Sequence, residues 1–321
     1  MKTKFTLLSL AVATLVACGG GGGDPATIDP ALNTDTASAE PVVSSPSGSP
    51  LDTSEPASPA PIAAAVTPAT SVTPVVSSAP TGGTQHIISY GQSLSLGERS
   101  VNAFPSDNGL PGGYQNVGLM FADGVRSSGG TSALVAFSES TAPVDYQSWV
   151  TSTPGETPLY GALLALGSVS GTRIGSAAGR GGTPIAELGR GTEPYNRLIR
   201  QVVSAKASAT PPYTVPAIIW MQGEADPFNE GYAGQFNQLA SNLDSDIRGI
   251  TGQARAVQIH VCLTTYAVPA AAQRAVAAAN PNVHIACDTA AFPKSDGVHL
   301  TAAGSRAAGL ALGASIAGTL R

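Results

Sequence analysis

The chain has 321 residues, of which 12% are charged, and it carries a formal net charge of −5 at pH 7. Its 16 lysines and arginines form no basic stripe, so the composition argues against a nucleic-acid-binding protein. Beyond the N-terminal residues, no apolar segment is long enough to suggest an integral membrane protein.

The first residues are typical of an export signal, which we predict for residues 1–17. Lys2 and Lys4 precede the run FTLLSLAVATLVA, which is too short to anchor stably in a membrane. The run ends in LVAC, which resembles the lipobox of bacterial lipoproteins, where the cysteine, here Cys18, becomes lipid-modified. An ordinary cleavable signal with an incidental cysteine is the alternative. Both interpretations predict that the protein leaves the cytoplasm. A lipobox would also anchor it at the periplasmic face of a membrane or at the cell surface.

Residues 18–84 are predicted to form a disordered tether. They are rich in Gly, Pro, Ala, Ser and Thr and contain no aromatic residue. Such a segment cannot bury enough apolar surface to offset the entropy of ordering, and its prolines make it a semi-stiff spacer. Residues 85–321 remain, and their number suits one domain with a sizeable core.

Within residues 85–321, short apolar runs alternate with longer helical patterns. This alternation predicts a parallel sheet covered by helices on both faces, with its site at the carboxyl ends of the strands. The Gly-, Ser- and Pro-rich segment 98–156 is predicted to be an irregular excursion over the site, in which Glu98 and Arg99 form a solvated helix face. Strands are predicted at HIISY, TRIGSAAG, VPAIIWMQG, 257–263 and 283–286, and helices at TPLYGALLALGSV, EPYNRLIRQVVSAKASA, 232–250, 268–279 and from about Thr301.

Four polar stretches fall where such a sheet would gather a site: GQS at 91–93, AAGRGGTPI at 177–185, WMQGEAD at 220–226 and SDGVHLTAAG at 295–304. Acyl transfer by a serine requires a base, a carboxylate that orients the base, and fixed donors for the oxyanion. Asp296 and His299 are three residues apart, so both can face a site from one segment. We therefore predict Ser93 as nucleophile, His299 as base through Nε2, and Asp296 as the acceptor of its Nδ1–H.

Donors for the oxyanion are predicted from the same stretches. They are the backbone N–H of Ser93, a backbone N–H of the Gly181–Gly182 loop, and the side-chain amide of Gln222.

The four motifs, in this order, resemble SGNH-type esterases of the branch that contains sialate O-acetylesterases and family 6 carbohydrate (acetylxylan) esterases. That branch reads GQSN, GGT-x-I, W-x-QGE-x-D and D-x-x-H, and the resemblance spans residues 85–321. It implies a three-layer α/β/α fold with a five-stranded, parallel, flavodoxin-like sheet, and it implies no metal or organic cofactor.

The resemblance also implies residue roles. Ser93, Asp296 and His299 would form the triad, with Gly181 or Gly182 and Gln222 in the oxyanion hole. Glu224 would be a second orienter of the histidine or a brace of the Gln222 loop, and Trp220 and Asp226 would be structural.

The sequence departs from the branch at two positions. Leu94 stands where an Asn usually follows the serine, and Leu188 stands near a position where the branch often has a Trp. Loss of a flat aromatic wall bears on sugar binding and leaves the hydrolytic chemistry intact.

Other residues receive structural interpretations. Cys262 and Cys287 lie in strand-like runs and are either a disulfide or two buried thiols, because sequence does not give the Cα spacing that a bridge needs. The remaining histidines, His86, His260 and His284, lie in or beside strands and are predicted to be structural.

These features predict an exported serine esterase that removes a short acyl group, above all acetyl, from a carbohydrate such as sialic acid or xylan. One alternative is a general short-chain esterase or lysophospholipase of the same superfamily. Another is a non-catalytic carbohydrate-binding lipoprotein, although a decayed site should have lost a catalytic residue. An α/β-hydrolase is excluded because Ser95 replaces the last glycine of the G-x-S-x-G elbow.

Overall fold

The computed structural model describes residues 82–100, 117–139, 155–167 and 170–320. The predicted signal peptide, Cys18 and the tether up to residue 81 lie outside these ranges. So do residues 101–116 and 140–154 of the predicted excursion.

A central sheet runs through the described part of the chain, in the order β3-β2-β4-β1-β5-β6-β7. All neighbouring strands are parallel except the antiparallel pair β2–β3. If β2 and β3 are left out and the other five strands are numbered along the chain, their order is the flavodoxin-like 2-1-3-4-5. The strands are β1 (Thr84–Gly91), β2 (Leu119–Phe121), β3 (Leu134–Ala136), β4 (Thr172–Ala177), β5 (Tyr213–Met221), β6 (Gln258–Leu263) and β7 (Val283–Asp288).

The predicted number of five strands is therefore wrong, since the described sheet has seven. β2 and β3 come from the segment that was expected to be irregular, and each is only three residues long. Three residues are too few to show the two-residue periodicity by which a strand is recognised.

Helices cover both faces of the sheet, as the alternation predicted. Along β1, Ile87 packs with α1 and α5, whereas Ile88 packs with α2, α3 and α4 on the opposite face. This alternation is the two-residue period of a strand that is buried on both sides. The helices are α1 (Leu159–Ala165), α2 (Glu193–Ser208), α3 (Tyr232–Thr251), α4 (Ala267–Ala279) and α5 (Ala302–Leu320).

Close packing of α1 against α5 fixes the segment that precedes α5. A Cβ atom added at Gly309 would lie 2.1 Å from the carbonyl oxygen of Pro158, so only glycine permits this approach. The buried carboxylate of Glu156 also pairs with Arg306, with Nε and Oε1 2.6 Å apart. The start of α5 is thereby held in place directly after the DGVHL motif.

Cys262 and Cys287 form a disulfide between β6 and β7, with their Cα atoms 4.4 Å apart. Of the two alternatives that the sequence left open, the structure contains the bridge.

The structural interpretation of His86 is also confirmed, because its ring forms hydrogen bonds with Tyr213 and Ser176 and its burial lowers its pKa to about 3. No helix within the described ranges has the length and apolar character needed to cross a membrane.

Candidate active site

The end of β1 places Ser93 at the carboxyl edge of the sheet. Gly91 has a φ of 140°, and a Cβ there would lie 2.1 Å from the carbonyl oxygen of Met221, so the residue must be glycine. The chain then turns into a short 3-10 helix that begins at Ser93. The rival nucleophile Ser95 is fully buried, and its hydroxyl donates to the carbonyl of Gln92 at 2.6 Å.

Ser93, His299 and Asp296 form one hydrogen-bonded chain, as the sequence predicted. His299 Nε2 lies 3.0 Å from Ser93 Oγ, and His299 Nδ1 lies 2.9 Å from Asp296 Oδ2. Because a carboxylate only accepts hydrogen bonds, Nδ1 carries the proton and Nε2 is free to accept the serine proton.

The Asp296 carboxylate is kept ionised by its own turn. Burial acts to raise its pKa, but hydrogen bonds from the backbone and ring of His299 and from the N–H of Val298 hold the pKa well below its ordinary value. A fixed negative charge therefore faces the base.

Unused backbone donors lie beside the nucleophile. Within the described ranges, the N–H groups of Ser93, Gly181 and Gly182 donate to no acceptor. The N–H of Arg180 donates to the carbonyl of Gly91 at 3.0 Å, which places the Gly181–Gly182 loop next to the Ser93 turn. These N–H groups are available to stabilise an oxyanion.

Gln222, which was expected to donate to the oxyanion, is otherwise engaged. Its amide nitrogen donates to the Asp226 carboxylate and to the carbonyl of Thr183, and its oxygen accepts from the Tyr232 hydroxyl at 2.6 Å. Both amide hydrogens are thus used, because a neighbouring carboxylate is a strong acceptor. In this structure Gln222 braces the glycine loop and does not contribute a free donor.

Asp226 fixes two loops at once, as its structural interpretation predicted. One carboxylate oxygen accepts from Gln222 and from the N–H of Ile185 at 2.8 Å, and the other accepts from the Asn229 amide at 2.7 Å. Sequence analysis missed the related role of Gln92, whose side-chain oxygen accepts from the N–H of Ala225 at 3.1 Å. The Gln222–Asp226 stretch is therefore tied to the residue that precedes the nucleophile.

Glu224 lies near the base but does not bond it. Burial raises the pKa of its carboxyl, partly opposed by its own backbone N–H, by the Thr264 hydroxyl and by the charges of His299 and Lys294. Its Oε2 atom is buried without a hydrogen-bond partner. Asp296, and not Glu224, is the carboxylate on His299 Nδ1.

The interpretation of Glu98 and Arg99 as a solvated helix face is wrong for Glu98 and wrong about the helix, whereas Arg99 is exposed as expected. Glu98 is fully buried, and Arg99 Nη1 donates to Asp296 Oδ2 at 2.8 Å. The two residues follow the 3-10 helix in a tight turn, so the helical period from which a surface face was inferred does not apply.

The two departures from the branch are apolar and buried. Leu94 is 2% exposed, and Leu188 is fully buried with its carbonyl accepting from the Tyr90 hydroxyl.

An exposed aromatic side chain that was not predicted from the sequence is Phe228, which is 87% exposed on the loop between β5 and α3. No group of three or more potential metal ligands occurs in the part of the chain that the structure describes.

A three-layer α/β fold with a Ser–His–Asp chain at the carboxyl ends of its parallel strands is the arrangement of a serine hydrolase. Residues 170–317 match the family model of carbohydrate esterases described as sialic acid-specific acetylesterases. This match confirms the resemblance that the motifs indicated, and it includes three of them, from GGTPI to DGVH. No protein of curated function matches the sequence.

Several solved structures are similar to the chain. A protein from Arabidopsis thaliana has a TM-score of 0.58 at 20% identity over 75% of this chain and 100% of its own, which supports the fold. NanS has a TM-score of 0.47 at 15% identity, covering 68% of this chain and 80% of its own. A carbohydrate acetylesterase from Xanthomonas citri has a TM-score of 0.42 at 16% identity, covering 72% of this chain and 55% of its own. The last two likenesses are too distant to carry an argument.

Proposed function

We propose that the protein is a serine esterase that releases acetyl groups from the hydroxyls of a carbohydrate. One observation carries the proposal: the continuous chain of hydrogen bonds from Ser93 Oγ through His299 to Asp296. The family match over residues 170–317 supports acetylated carbohydrate as the substrate class.

The geometry supports a two-step mechanism. Ser93 Oγ attacks the ester carbonyl while His299 Nε2 takes its proton, and the oxyanion accepts from the N–H groups of Ser93 and the Gly181–Gly182 loop. Collapse breaks the bond to the sugar oxygen, which leaves as the alcohol with the proton from His299. Water then attacks the acetyl-enzyme, again giving its proton to His299, and acetate and free Ser93 are formed.

Phe228 supports a carbohydrate as the alcohol part of the substrate. A side chain this exposed is unusual for phenylalanine, and a flat apolar ring is a surface on which the C–H face of a sugar can pack. Its loop is tied to the residue before the nucleophile through the bond from the N–H of Ala225 to Gln92. Sialic acid and xylose units are the sugars we propose to test first.

We also propose that the protein is exported and anchored by a lipid on Cys18. Support comes from the sequence alone: two lysines, a short apolar run and small residues before the cysteine. The glycine- and proline-rich residues that follow would hold the esterase domain away from the membrane.

The test is acetate release from acetylated sialic acids, acetylated xylan fragments and an aryl acetate, with longer acyl esters for comparison. Ser93→Ala should lower kcat on every substrate by about a thousandfold or more, because no covalent intermediate can form. The matched control is Ser241→Ala, which removes an exposed hydroxyl from α3. Substantial activity in Ser93→Ala contradicts the mechanism, and a preference for long acyl chains contradicts the substrate class.

A further inference from the structure

The turn that follows the nucleophile contacts the triad a second time through Arg99. Its Nη1 atom donates to Asp296 Oδ2 at 2.8 Å, and the same oxygen lies 2.9 Å from His299 Nδ1. We propose that Arg99 is a positioning residue, which holds the Asp296 carboxylate in the orientation that directs His299 toward Ser93. This inference rests on the proposed esterase function and adds a fourth member to its hydrogen-bonded chain.

The backbone of Arg99 supports the proposal. Its φ is 59°, and it is the one non-glycine residue with a positive φ in the described part of the chain. This left-handed conformation is strained for a residue with a side chain. A glycine would avoid that strain, but it would also remove the guanidinium group that contacts Asp296.

Neighbouring bonds attach the same turn to both catalytic segments. The N–H of Glu98 donates to the carbonyl of Ser93 at 3.0 Å. The hydroxyl of Ser100 donates to the carbonyl of Leu300 at 2.8 Å, one residue after the base. Arg99 therefore projects from a turn that is fixed on both sides, so its guanidinium reaches Asp296 from a defined direction.

The carboxylate of Asp296 is held at both oxygens. Oδ1 accepts from the N–H groups of Val298 and His299, and Oδ2 faces the His299 ring and Arg99. Without Arg99, Oδ2 would keep only the ring as a partner, and the carboxylate could rotate away from Nδ1. Loss of orientation lowers kcat more than it changes KM, because the base acts in the chemical step.

The test is to measure kcat and KM of aryl acetate hydrolysis for Arg99→Gln and Arg99→Lys. Because the Arg99 side chain is 54% exposed, the effect is screened by water. We expect Arg99→Gln to lower kcat about fivefold and to leave KM unchanged. Arg99→Lys keeps the charge and should recover most of the lost kcat.

Arg190→Gln is the matched control, because Arg190 forms an ion pair of 2.7 Å and similar exposure with Asp246, away from the triad. It should leave kcat and KM unchanged. The proposal is overturned if Arg99→Gln behaves as the wild type, or if Arg99→Lys is equally impaired and both lose more thermal stability than the control. Ser93→Ala separates the two hypotheses, since its retained activity would refute the esterase mechanism itself.

Discussion

Two carboxylates lie close to His299, and their environments differ. Asp296 accepts hydrogen bonds at both oxygens and is ionised, whereas Glu224 is buried with one oxygen unpartnered and a raised pKa. An ionised, bonded carboxylate can fix the tautomer of the base, and a carboxyl without a bond to the base cannot. We therefore assign the orienting role to Asp296 alone.

This assignment predicts unequal losses in two isosteric variants. Asp296→Asn should lower kcat for an aryl acetate by about a hundredfold or more, because an amide can present a donor to Nδ1 and favour the wrong tautomer. Glu224→Gln should retain kcat within a few-fold. Steady-state kinetics with thermal unfolding as a folding check decides the matter, and a larger loss in Glu224→Gln would reverse the assignment.

The triad was predictable from the sequence, but its fourth contact was not. Asp296 and His299 are three residues apart, so a single turn of the chain can bring both side chains to the same site. Arg99 is 197 positions from Asp296, and only the packing of α5 and the turn at Ser100 brings the two together. The hydrogen bond from the Gln222 amide to Asp226 was not predictable either, because a sequence motif does not show which acceptor an amide group will bond.

Among the elements, the loop between β5 and α3 contacts the glycine loop and carries the exposed ring that we propose as a sugar-binding surface. Its first residues brace the glycine loop through Gln222 and Asp226, and Phe228 extends from its outer part. The same loop can therefore position the oxyanion donors and offer a ring to the sugar. The aromatic residue that the similar esterases often have near Leu188 is absent, so Phe228 is the aromatic surface we expect the sugar to use.

Phe228→Ala tests whether the exposed ring binds the sugar. Acetylated sugars should show a KM raised about five- to tenfold, because the lost ring contributes about 1 kcal/mol of packing. Ethyl acetate, which has no sugar ring, should be hydrolysed as by the wild type. The control is Val203→Ala, which shortens a 51% exposed side chain on α2. Equal losses on both substrates, or none on the sugars, would contradict a stacking role.

The alternation of strands and helices made most of the elements predictable. α3, for example, was expected at 232–250 and is observed at Tyr232–Thr251, because its apolar residues recur at helical spacing over five turns. β2 and β3 escaped detection because three-residue strands carry no period, and their position at the sheet edge is set by pairing with β4 and with each other.

At the scale of the whole molecule, one buried acid should make stability depend on pH. Burial raises the pKa of Glu139 to about 7, against the charge of Arg126 and a hydrogen bond from Thr157, which both lower it. The ordinary pKa of a glutamate, which applies to a solvated side chain in the unfolded chain, is about 4.5. Between these pH values the unfolded state releases the proton and the folded state keeps it, so the free energy of unfolding falls as pH rises.

Glu139→Gln should remove this dependence. The wild type loses on the order of 3 kcal/mol between pH 4.5 and 7 and keeps that deficit above pH 7, so the melting temperature of the variant relative to wild type should rise from pH 5 to pH 8. Burial lowers the pKa of His86 and of His260 in both proteins alike, so their contribution to the pH dependence cancels in the difference. Thermal unfolding at the two pH values provides the measurement, and parallel pH curves would refute the prediction.

Labelling with a fluorophosphonate, followed by intact-mass measurement and peptide mapping, tests most directly whether Ser93 is a nucleophile activated by His299. We expect one adduct per chain, on Ser93, lost in Ser93→Ala and strongly slowed in His299→Ala, while the exposed Ser241 stays unlabelled. An adduct on another residue, or an active protein that takes up no label, would contradict the claim.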